Sequence, residues 1–516
     1  MTIGIGIDLG TTYSCVMHRT PDGTFDVIES RDGRPLTPSA VYFAPDGTAL
    51  VGERAKEHLA DDHENLVIGI KRQMGRDFPL EYFGNEYTPE GISGLILRGL
   101  SEDAGAHLSA ESRDLAAVIT VPAYFGVGER EATFTSARIA GLTCLELLPE
   151  PVAAAYAYGL ADEPDRTSLV YDLGGGTFDV AVVGMYEGTP RVWAVDGDTQ
   201  LGGLDWDRRV EDLLWQQLAQ QDDADDLRYD DDVVGKVTSA AEILKRRLTT
   251  QSHVTERVFL TGRTLELRVS RAEFEAASTD LLLRSAETAR RVMRSATDLG
   301  SPDIDQVLLV GGSTRMPMVR SLLEEQLTLP VRIADPDKAV ARGAALLADE
   351  LVTRSAAPAS NASRFAEPRI TSVLPRSLGV LTWSSADPVR DEPYVQHVLR
   401  ANTPLPIVEA EHVVATIVDD QDRARIQIYE QAGTRESSAP ADNRLLLEGE
   451  ILGIPPGPAG SPIRLRLSAS VDGRISVESM DGARPLRLEI EAFLHGVLDD
   501  EEVAAQRTAV AGLKVM

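Results

Sequence analysis

Two short segments of the chain combine aspartate, glycine and threonine in the same order, and this combination is suited to holding phosphate groups. They are Asp8–Thr12, with the sequence DLGTT, and Asp172–Asp179, with the sequence DLGGGTFD. Glycine lets backbone amides approach phosphate oxygens, threonine hydroxyls donate to them, and carboxylates hold hydrated magnesium. Two such turns facing each other would hold a polyphosphate and its metal ion from both sides.

Each of these turns follows a short apolar run that predicts a buried β-strand. Ile3–Ile7 precedes the first turn and Ser168–Tyr171 precedes the second, while Val307–Val310 leads into a third glycine turn, Gly311–Arg315. Any one of them alone is equally typical of an ordinary strand-to-helix turn. The repetition with a matching aspartate favours a nucleotide clamp between two related lobes.

Composition excludes several classes of protein. The net charge of −30, from 81 acidic and 51 basic residues, repels phosphate backbones and predicts that nucleic acid is not a partner. The Walker A spacing is absent, so a P-loop enzyme is not predicted. Two cysteines without CxxC spacing, Cys15 and Cys144, are typical of a reducing compartment. With no signal-peptide pattern and no run near the ~20 apolar residues of a membrane helix, we expect a cytoplasmic protein without membrane contact.

The length of 516 residues is typical of several domains. Alternating strand and helix patterns over residues 1–350 predict an α/β domain. A segment rich in Ser, Ala, Pro and Asn at 351–370 predicts a linker. The predicted strands and helices are Val118–Val121, Gly128–Ala140, Thr238–Leu248 and Val340–Leu351.

Beyond the linker, short alternating segments predict an antiparallel sandwich. They are Arg425–Tyr429, Ile463–Leu467 and Arg474–Val477, and the chain then begins an acid-capped helix at Asp499. The acidic block Asp222–Asp232 is interpreted as a solvated loop, with metal binding as the alternative.

Together these segments resemble the seventy-kilodalton heat-shock chaperone family of the DnaK type, in the family's order over about 350 residues. Looser matches continue beyond the linker at Leu374–Val380, Ala401–Pro406 and Leu452–Pro458. The specific matches are Ile7–Ser14, Lys71–Arg76, Val118–Phe125, Arg138–Leu142, Glu150–Leu160, Tyr171–Val180, Asp198–Asp207, Leu309–Pro317 and Asp335–Ala345.

The resemblance implies a two-lobed actin-like ATPase domain with ribonuclease H-like duplicated halves, followed by an all-β sandwich. Its expected extents are 1–350 for the ATPase domain, 351–370 for the linker, 371–495 for the substrate-binding sandwich and 496–516 for a helical stub or tail without a lid. It implies slow ATP hydrolysis and binding of unfolded or extended polypeptides in protein folding. The alternative is an ATP-gated, non-catalytic scaffold that presents the sandwich to one dedicated partner.

The same resemblance implies the cofactors and partners. ATP or ADP with magnesium would occupy the cleft, and the family pattern extends to potassium. A J-domain co-chaperone and a nucleotide exchange factor are the corresponding partners. Pro122 and Arg130 match the family's proline switch and its relay toward the sandwich.

Carried over by position, the resemblance also assigns catalytic roles. Asp8 and Asp172 would order magnesium through water, with Asp179 as a metal ligand or water polariser. Lys71 would reach the phosphate and the attacking water, although a surface lysine is the alternative. Glu150 would orient or deprotonate that water. The catalytic set is Lys71, Glu150, Asp172, Thr177 and Asp179, in which Thr177 contacts the γ-phosphate.

For the nucleoside, the helix Ala241–Thr249 resembles the family's adenosine clamp, and simple i,i+4 charge pairing is the alternative. Arg246 would stack on the base with its planar guanidinium. The full nucleotide-binding set is Asp8, Gly10, Thr11, Thr12, Tyr13, Gly174, Gly175, Gly176, Thr177, Gly202, Gly203, Glu242, Lys245, Arg246, Thr249, Gly311, Gly312, Ser313, Arg315 and Asp337.

Three departures from the family pattern concern the peptide and its coupling to ATP. We expect a variant without the family's helical lid, which predicts faster peptide release. The linker stretch Glu367–Val373 is polar, so it is expected to bury less apolar surface and to weaken coupling and J-domain stimulation. The loop Trp383–Pro393 is long and polar. Ala424, Ile426 and Ile428 alternate either as a cleft floor or as sandwich core.

Overall fold

The computed structural model describes residues 2–159, 166–186, 189–220, 225–260, 262–333, 335–355, 371–383, 392–433, 435–470, 473, 475–481, 484–493 and 498–516. These residues form two α/β lobes, an eight-stranded antiparallel sheet and a C-terminal segment that returns to the first lobe. Both cysteines are free thiols. Within the described ranges, every helix is too short or too polar to cross a membrane.

The first lobe is built around a mixed sheet. Its elements are β1 (Ile3–Asp8), β2 (Tyr13–Arg19), β3 (Phe25–Ile28), β4 (Thr37–Pro38), β5 (Ala40–Phe43), β6 (Thr48–Val51), α1 (Glu53–Lys56), β7 (Leu66–Ile68), β8 (Leu80–Tyr82), β9 (Asn85–Tyr87), α2 (Pro89–Leu108), β10 (Leu115–Val121), α3 (Val127–Ala140), β11 (Thr143–Pro149) and α4 (Glu150–Ala157). The strand order is β11-β10-β1-β2-β3. β1 is parallel to β10 and antiparallel to β2, and it is central because Ile5 and Ile7 are completely buried.

The second lobe repeats this plan. Its elements are β12 (Ser168–Leu173), β13 (Phe178–Tyr186), β14 (Thr189–Asp198), α5 (Gly203–Leu218), α6 (Asp231–Leu248), β15 (His253–Leu260), β16 (Arg263–Ser270), α7 (Arg271–Ala277), α8 (Thr279–Asp298), β17 (Gln306–Val310), α9 (Pro317–Leu327), β18 (Val331–Ile333) and α10 (Ala339–Ser355). The order β14-β13-β12-β17-β18 has the same strand directions as the first sheet, with β12 in the place of β1.

The last helix of the second lobe joins the two lobes. α10 packs across β1 and β2 of the first lobe and against α4. The approach to β1 is very close, because a Cβ added at Gly6 would lie 2.1 Å from the backbone nitrogen of Ala345. Glycine is therefore required at position 6 to hold the lobes at this distance.

The third part is an all-antiparallel sheet. Its strands are β19 (Leu378–Thr382), β20 (Tyr394–Leu399), β21 (Ile407–Ala415), β22 (Arg423–Gln431), β23 (Asn443–Leu452), β24 (Pro462–Ala469), β25 (Ile475–Asp481) and β26 (Arg484–Phe493), in the order β20-β19-β22-β23-β26-β25-β24-β21. The terminal strands β20 and β21 contact each other, so the sheet folds over an apolar core. Ile426 and Ile428 are buried in that core, which favours the core interpretation of this alternating run.

The chain ends with α11 (Asp500–Gly512) and β27 (Lys514–Val515), which pack on the first lobe. The acid-capped helix predicted at Asp499 is confirmed, because the Asp499 carboxylate accepts a hydrogen bond from the Glu502 amide at 2.8 Å. The sequence pattern did not indicate that this helix would be buried against another domain.

Most predicted elements of the α/β part are confirmed, including the strands before each glycine turn and the helices inside α3, α6 and α10. Of the predicted loop Asp222–Asp232, residues 222–224 lie outside the described residues. The loop interpretation is wrong for the rest, because Asp225–Tyr229 form a 3₁₀ helix and α6 begins at Asp231. The Asp230 carboxylate caps the N-terminus of α6, because it accepts hydrogen bonds from the amides of Asp232 and Val233. Asp231 and Asp232 are the first two residues of that helix. α10 continues to Ser355, and both the remaining linker residues 356–370 and the loop residues 384–391 lie outside the described residues.

A buried carboxyl group beneath α11 makes the stability of the fold pH-dependent. Glu90 is 1% exposed. Burial and the nearby charge of Glu502 raise the pKa of its carboxyl group from 4.5 to about 7, although hydrogen bonds with Thr88 and Gly75 partly offset this rise. The unfolded chain releases this proton between pH 4.5 and 7 while the folded chain keeps it. This contribution to stability is therefore complete below pH 4.5 and is lost as the pH rises to about 7.

We predict that Glu90→Gln raises the melting temperature relative to wild type at pH 8, where the wild type carries the cost of ionising Glu90. The gain should shrink toward zero at pH 5. Thermal unfolding followed by circular dichroism at both pH values measures it, with Glu81→Gln on an exposed position of β8 as the control. An equal effect at both pH values would contradict the prediction.

Candidate functional site

The two aspartate-containing turns meet across a cleft between the lobes. A Cβ added at Gly175 would lie 2.0 Å from the Thr12 hydroxyl oxygen, and one added at Gly176 would lie 2.2 Å from the Thr11 side chain. The matching positions of β1 and β12 explain this contact, because each strand carries its aspartate to the same edge of its sheet. The facing arrangement predicted from the two motifs is thus present.

The cleft has a cavity volume of about 730 Å³. It is lined by most of the predicted residues. Gly176, Gly202 and Asp179 do not line it: the Gly176 carbonyl accepts a hydrogen bond from Arg72, and a Cβ at Gly202 would meet the Gly176 backbone. The predicted residues that line the cleft are Asp8, Gly10, Thr11, Thr12, Tyr13, Lys71, Glu150, Asp172, Gly174, Gly175, Thr177, Gly203, Glu242, Lys245, Arg246, Thr249, Gly311, Gly312, Ser313, Arg315 and Asp337.

A buried ion pair lies at the closed end of the cleft. The Lys71 ammonium donates to a carboxylate oxygen of Glu150 at 2.6 Å, and both side chains are less than a tenth exposed. Lys71 lies in a short 3₁₀ turn, whereas Glu150 is the first residue of α4. The surface-lysine interpretation of Lys71 is therefore wrong.

Three more carboxylates surround this pair. Burial and the charge of Glu150 raise the pKa values of Asp8 and Asp179 to about 7, and the charge of Asp337 adds to the shift at Asp8. Lys71 lowers both pKa values. The hydrogen bond from Thr120 lowers that of Asp8, and the one from the Tyr124 amide lowers that of Asp179.

The pKa of Asp172 is also raised well above its ordinary value, by burial and by the charges of Glu150, Asp179 and Asp8. Four carboxylates thus share one ammonium, and a divalent cation would offset their repulsion.

The donor set therefore fits a hydrated magnesium ion bound beside a triphosphate. Among the described residues, no group of three or more His, Cys, Asp or Glu side chains is close enough to hold a metal directly. Magnesium commonly keeps several of its waters and uses few protein carboxylates. That behaviour agrees with the expectation that Asp8 and Asp172 act through water.

The open end of the cleft carries a polar cluster formed by both lobes. The Lys56 ammonium lies 2.7 Å from the Glu242 carboxylate and 2.8 Å from the Tyr13 hydroxyl. Arg246 donates to the same hydroxyl at 3.2 Å and also lies 3.7 Å from Glu242. Charge pairing along α6 and a cleft-lining position therefore occur together, so the pairing does not exclude a role in binding the nucleoside.

The glycine turns are tied together by side chains of the second lobe. Lys245 donates to the Gly203 carbonyl at 2.9 Å and pairs with Asp207 at 2.8 Å. The Ser313 hydroxyl donates to the Gly174 carbonyl at 2.8 Å. These contacts set the shape of the phosphate-facing loops before any ligand binds.

Among the cleft residues that were not predicted as site residues, Lys56, Arg72 and Asp207 make polar contacts that shape the site. Arg72 donates to the Gly176 carbonyl at 2.7 Å and forms a two-bond pair with Asp205, so it links the first lobe to a phosphate-facing loop of the second. Its position next to Lys71 was the available signal. For Asp207 the available signal was its position in the family-like stretch Asp198–Asp207. Lys56 belongs to the short helix α1 and lies in no such stretch, so its role follows only from the tertiary fold.

Comparison with known proteins agrees with this geometry. The family model described as "Hsp70 protein" matches residues 4–81 and 79–510. The chain is 36% identical over 509 residues to the chaperone protein DnaK of Thermotoga petrophila, covering 96% of this chain and 81% of the relative. It is 35% identical to the DnaK proteins of Thermotoga neapolitana and Thermosipho africanus, covering 92% of this chain and 78% and 77% of those proteins.

The chain therefore belongs to the Hsp70 family. It is an ATP-dependent molecular chaperone and an ATPase of that family, as the resemblance of its motifs predicted.

The contact between the two turns can be tested by adding one methyl group. We predict that Gly175→Ala lowers ATP affinity at least tenfold, because its Cβ would overlap Thr12 and push the lobes apart. Gly174→Ala is the matched control, since its Cβ would meet nothing closer than 3.4 Å. Calorimetric titration with ATP measures both, and equal affinities for the two variants would contradict the proposed packing.

Proposed function

We propose that the cleft binds ATP and ADP with magnesium and that the buried pair of Lys71 and Glu150 controls the attacking water. The proposal rests on the 2.6 Å hydrogen bond from the Lys71 ammonium to the Glu150 carboxylate and on the buried carboxylates that surround it. When bound, magnesium supplies charge stabilisation to the phosphate oxygens. The chain's own part is to position water and phosphate, which is most of what phosphoryl transfer requires.

Within this proposal each group has a defined task. Lys71 donates toward the phosphate and the water, and Glu150 accepts from that water. Thr177, which is buried and lines the cleft, donates to the γ-phosphate. Asp179 is held from behind by the Tyr124 amide at 3.0 Å, so it is positioned to orient a metal-bound or nearby water without lining the cleft itself.

The nucleoside would lie against the polar cluster at the open end. Glu242 and Lys245 are suited to the ribose hydroxyls, and the Arg246 guanidinium to the face of the base. Ser313, Arg315 and Asp337 complete this side of the pocket, where Arg315 pairs with Asp337 at 2.5 Å. Potassium beside the phosphates belongs to the same proposal, and its test is the ATPase rate in potassium compared with sodium buffers.

We further propose that the ATPase domain, expected over 1–350, extends to the end of α10 at Ser355, that the rest of the expected linker 351–370 follows it, and that 371–495 form the substrate-binding sandwich and 496–516 a helical tail. The matching strand orders of the two lobes support ribonuclease H-like duplicated halves within an actin-like domain. Two free cysteines support a cytoplasmic location. A J-domain co-chaperone and a nucleotide exchange factor are proposed partners through family membership alone.

The sandwich presents an apolar end that suits an extended polypeptide. Trp383, Ile417 and Val418 are each 45% or more exposed. They come to the same end of the sheet, because Trp383 follows β19, the turn 417–418 precedes β22, and these strands are antiparallel neighbours. Exposed apolar groups clustered in this way are typical of an interaction site. We propose that they contact the bound polypeptide.

A short chain of contacts joins the catalytic carboxylates to the sandwich. The Tyr124 amide holds Asp179, and the hydroxyl of the same tyrosine donates to the Gly433 carbonyl of the sandwich at 3.0 Å. The Arg376 guanidinium, also from the sandwich domain, lies 4.6 Å from the Tyr124 ring centre. One residue of the ATPase domain thus contacts both the site and the sandwich, which supports coupling between ATP and polypeptide.

Buried charges reinforce this interface. Arg376 pairs with Glu129 of α3 at 3.1 Å and with Glu430 of β22 at 3.4 Å, and all three are less than a tenth exposed. Burial alone would raise the pKa of Glu129, but Arg376 and Arg444 lower it below its ordinary value. The described end of the polar linker also contacts the ATPase domain: the Thr371 amide donates to the Pro190 carbonyl and the Thr371 carbonyl accepts from the Val192 amide, both in β14.

A substitution at Lys71 distinguishes the scaffold alternative from a chaperone that depends on ATP hydrolysis. We predict that Lys71→Met lowers single-turnover ATP hydrolysis at least 100-fold while ATP affinity stays within a few-fold, because the charge acts on the transition state. Refolding of an unfolded client should then collapse. Lys338→Met, at a half-exposed lysine paired with Asp335, is the control. Retained refolding in Lys71→Met, with hydrolysis lost, would favour the scaffold.

Coupling is tested through the buried arginine. We predict that Arg376→Leu leaves basal hydrolysis unchanged but abolishes its stimulation by polypeptide, because Glu129 and Glu430 would lose their shared partner and the interface would open. Arg400→Leu removes an exposed arginine of the same domain and should keep stimulation. Peptide-array binding in ATP and in ADP gives a second measure. Equal stimulation in both variants would contradict this route of coupling.

A further inference from the structure

The last eighteen residues of the chain are anchored in the ATPase domain rather than in the sandwich that precedes them. Val503 and Val510 of α11 are 5% and 1% exposed and belong to the apolar core of the first lobe. They are two helical turns apart, so they lie on one side of the helix. Ala504 and Ala511, each one residue after a buried valine, are exposed.

Polar contacts fix the direction of this helix on α2. Arg98 donates to the carbonyls of Val510 and Leu513 at 2.9 and 3.4 Å, and thereby caps the C-terminal end of α11. Gln506 accepts from the Thr88 amide at 3.4 Å. A Cβ added at Gly91 would lie 2.3 Å from the Gln506 side chain, so the two helices are as close as glycine allows.

The segment then continues as a strand of the first lobe. β27 pairs in parallel with β6, with Lys514 opposite Thr48 and Val515 opposite Ala49. The Met516 amide donates to the Ala49 carbonyl at 3.0 Å, and the Met516 carbonyl accepts from the Val51 amide at 3.2 Å. Strand addition at the edge of a sheet gives both affinity and register.

We propose that residues 499–516 act as a strap that keeps the sandwich on the ATPase domain. Only six residue steps separate the end of β26 at Phe493 from Asp499, and a fully extended chain covers about 20 Å over that length. While α11 and β27 stay in place, the sandwich cannot move far from the first lobe. Departure of the sandwich requires the strap to detach, because the tether converts separate contacts into one joint anchorage.

The proposal is tested by placing a charge on the buried side of the strap in the full-length protein. Val510→Asp puts a carboxylate in the core, whereas Ala511→Asp adds the same charge one residue later on the exposed side. Spin labels on cysteines introduced at the exposed positions Arg113 and Glu478 report the distance between the first lobe and the sandwich. Amide exchange of 499–516 reports whether the strap is released. Both are measured with ATP and with ADP.

We expect Val510→Asp to raise amide exchange of the strap at least tenfold and to produce a long-distance population, while Ala511→Asp keeps the single short distance of wild type. A released strap with an unchanged short distance would overturn the proposal, as would unchanged exchange in Val510→Asp. Should Val510→Asp fail to fold, Met516→Pro removes one strand hydrogen bond outside the core and Met516→Ala keeps it. For this pair too, a released strap with an unchanged short distance, or unchanged exchange in Met516→Pro, would overturn the proposal.

Discussion

The structure depends on four carboxylates gathered around one ammonium at the bottom of a cleft. Asp172 and Asp179 are buried and Asp8 is half-buried beside the pair of Lys71 and Glu150, and desolvation together with mutual repulsion raises the pKa values of the three aspartates. Such a group is stable only where the surrounding fold enforces it. The two sheets do so, because each delivers an aspartate near the end of its central strand and α10 binds the lobes together across β1. The site is therefore prepared for cationic and phosphate ligands before they bind.

The same arrangement explains why the polar interface below the cleft matters. The Tyr124 amide donates to Asp179, and the hydroxyl of the same tyrosine donates to the Gly433 carbonyl of the sandwich. A movement of the sandwich is therefore transmitted to the carboxylates through two hydrogen bonds of one residue. Buried charges lie at the centre of the described part of this interface, where Arg376 pairs with Glu129 and Glu430. Removing Arg376 would take from Glu129 and Glu430 the guanidinium that they share, while Glu129 would keep its contact with Arg444 at 3.4 Å.

Local patterns in the sequence predicted the parts of the site that are local in the chain. A strand followed by Asp, Gly and Thr is a continuous signal, and this is why Asp8, Asp172 and the glycine turns could be placed before the fold was known. Lys56 and Arg72 escaped the prediction because their roles depend on residues more than 100 positions away, Glu242 and Gly176. The burial of Ile426 and Ile428 was ambiguous for another reason: alternation is the same for a cleft floor and for a sandwich core.

The C-terminal segment shows the limit of such patterns most clearly. The sequence from Asp499 predicted a capped helix correctly, but its apolar residues are few, and nothing local tells which surface Val503 and Val510 will cover. Their partners are residues of the first lobe some 400 positions earlier, including Arg98. A polar linker entering the sandwich at one end and an anchored helix leaving it at the other restrict the sandwich from two sides. The sandwich departs only when both anchorages release, and the described contacts place more buried apolar side chains at the C-terminal one.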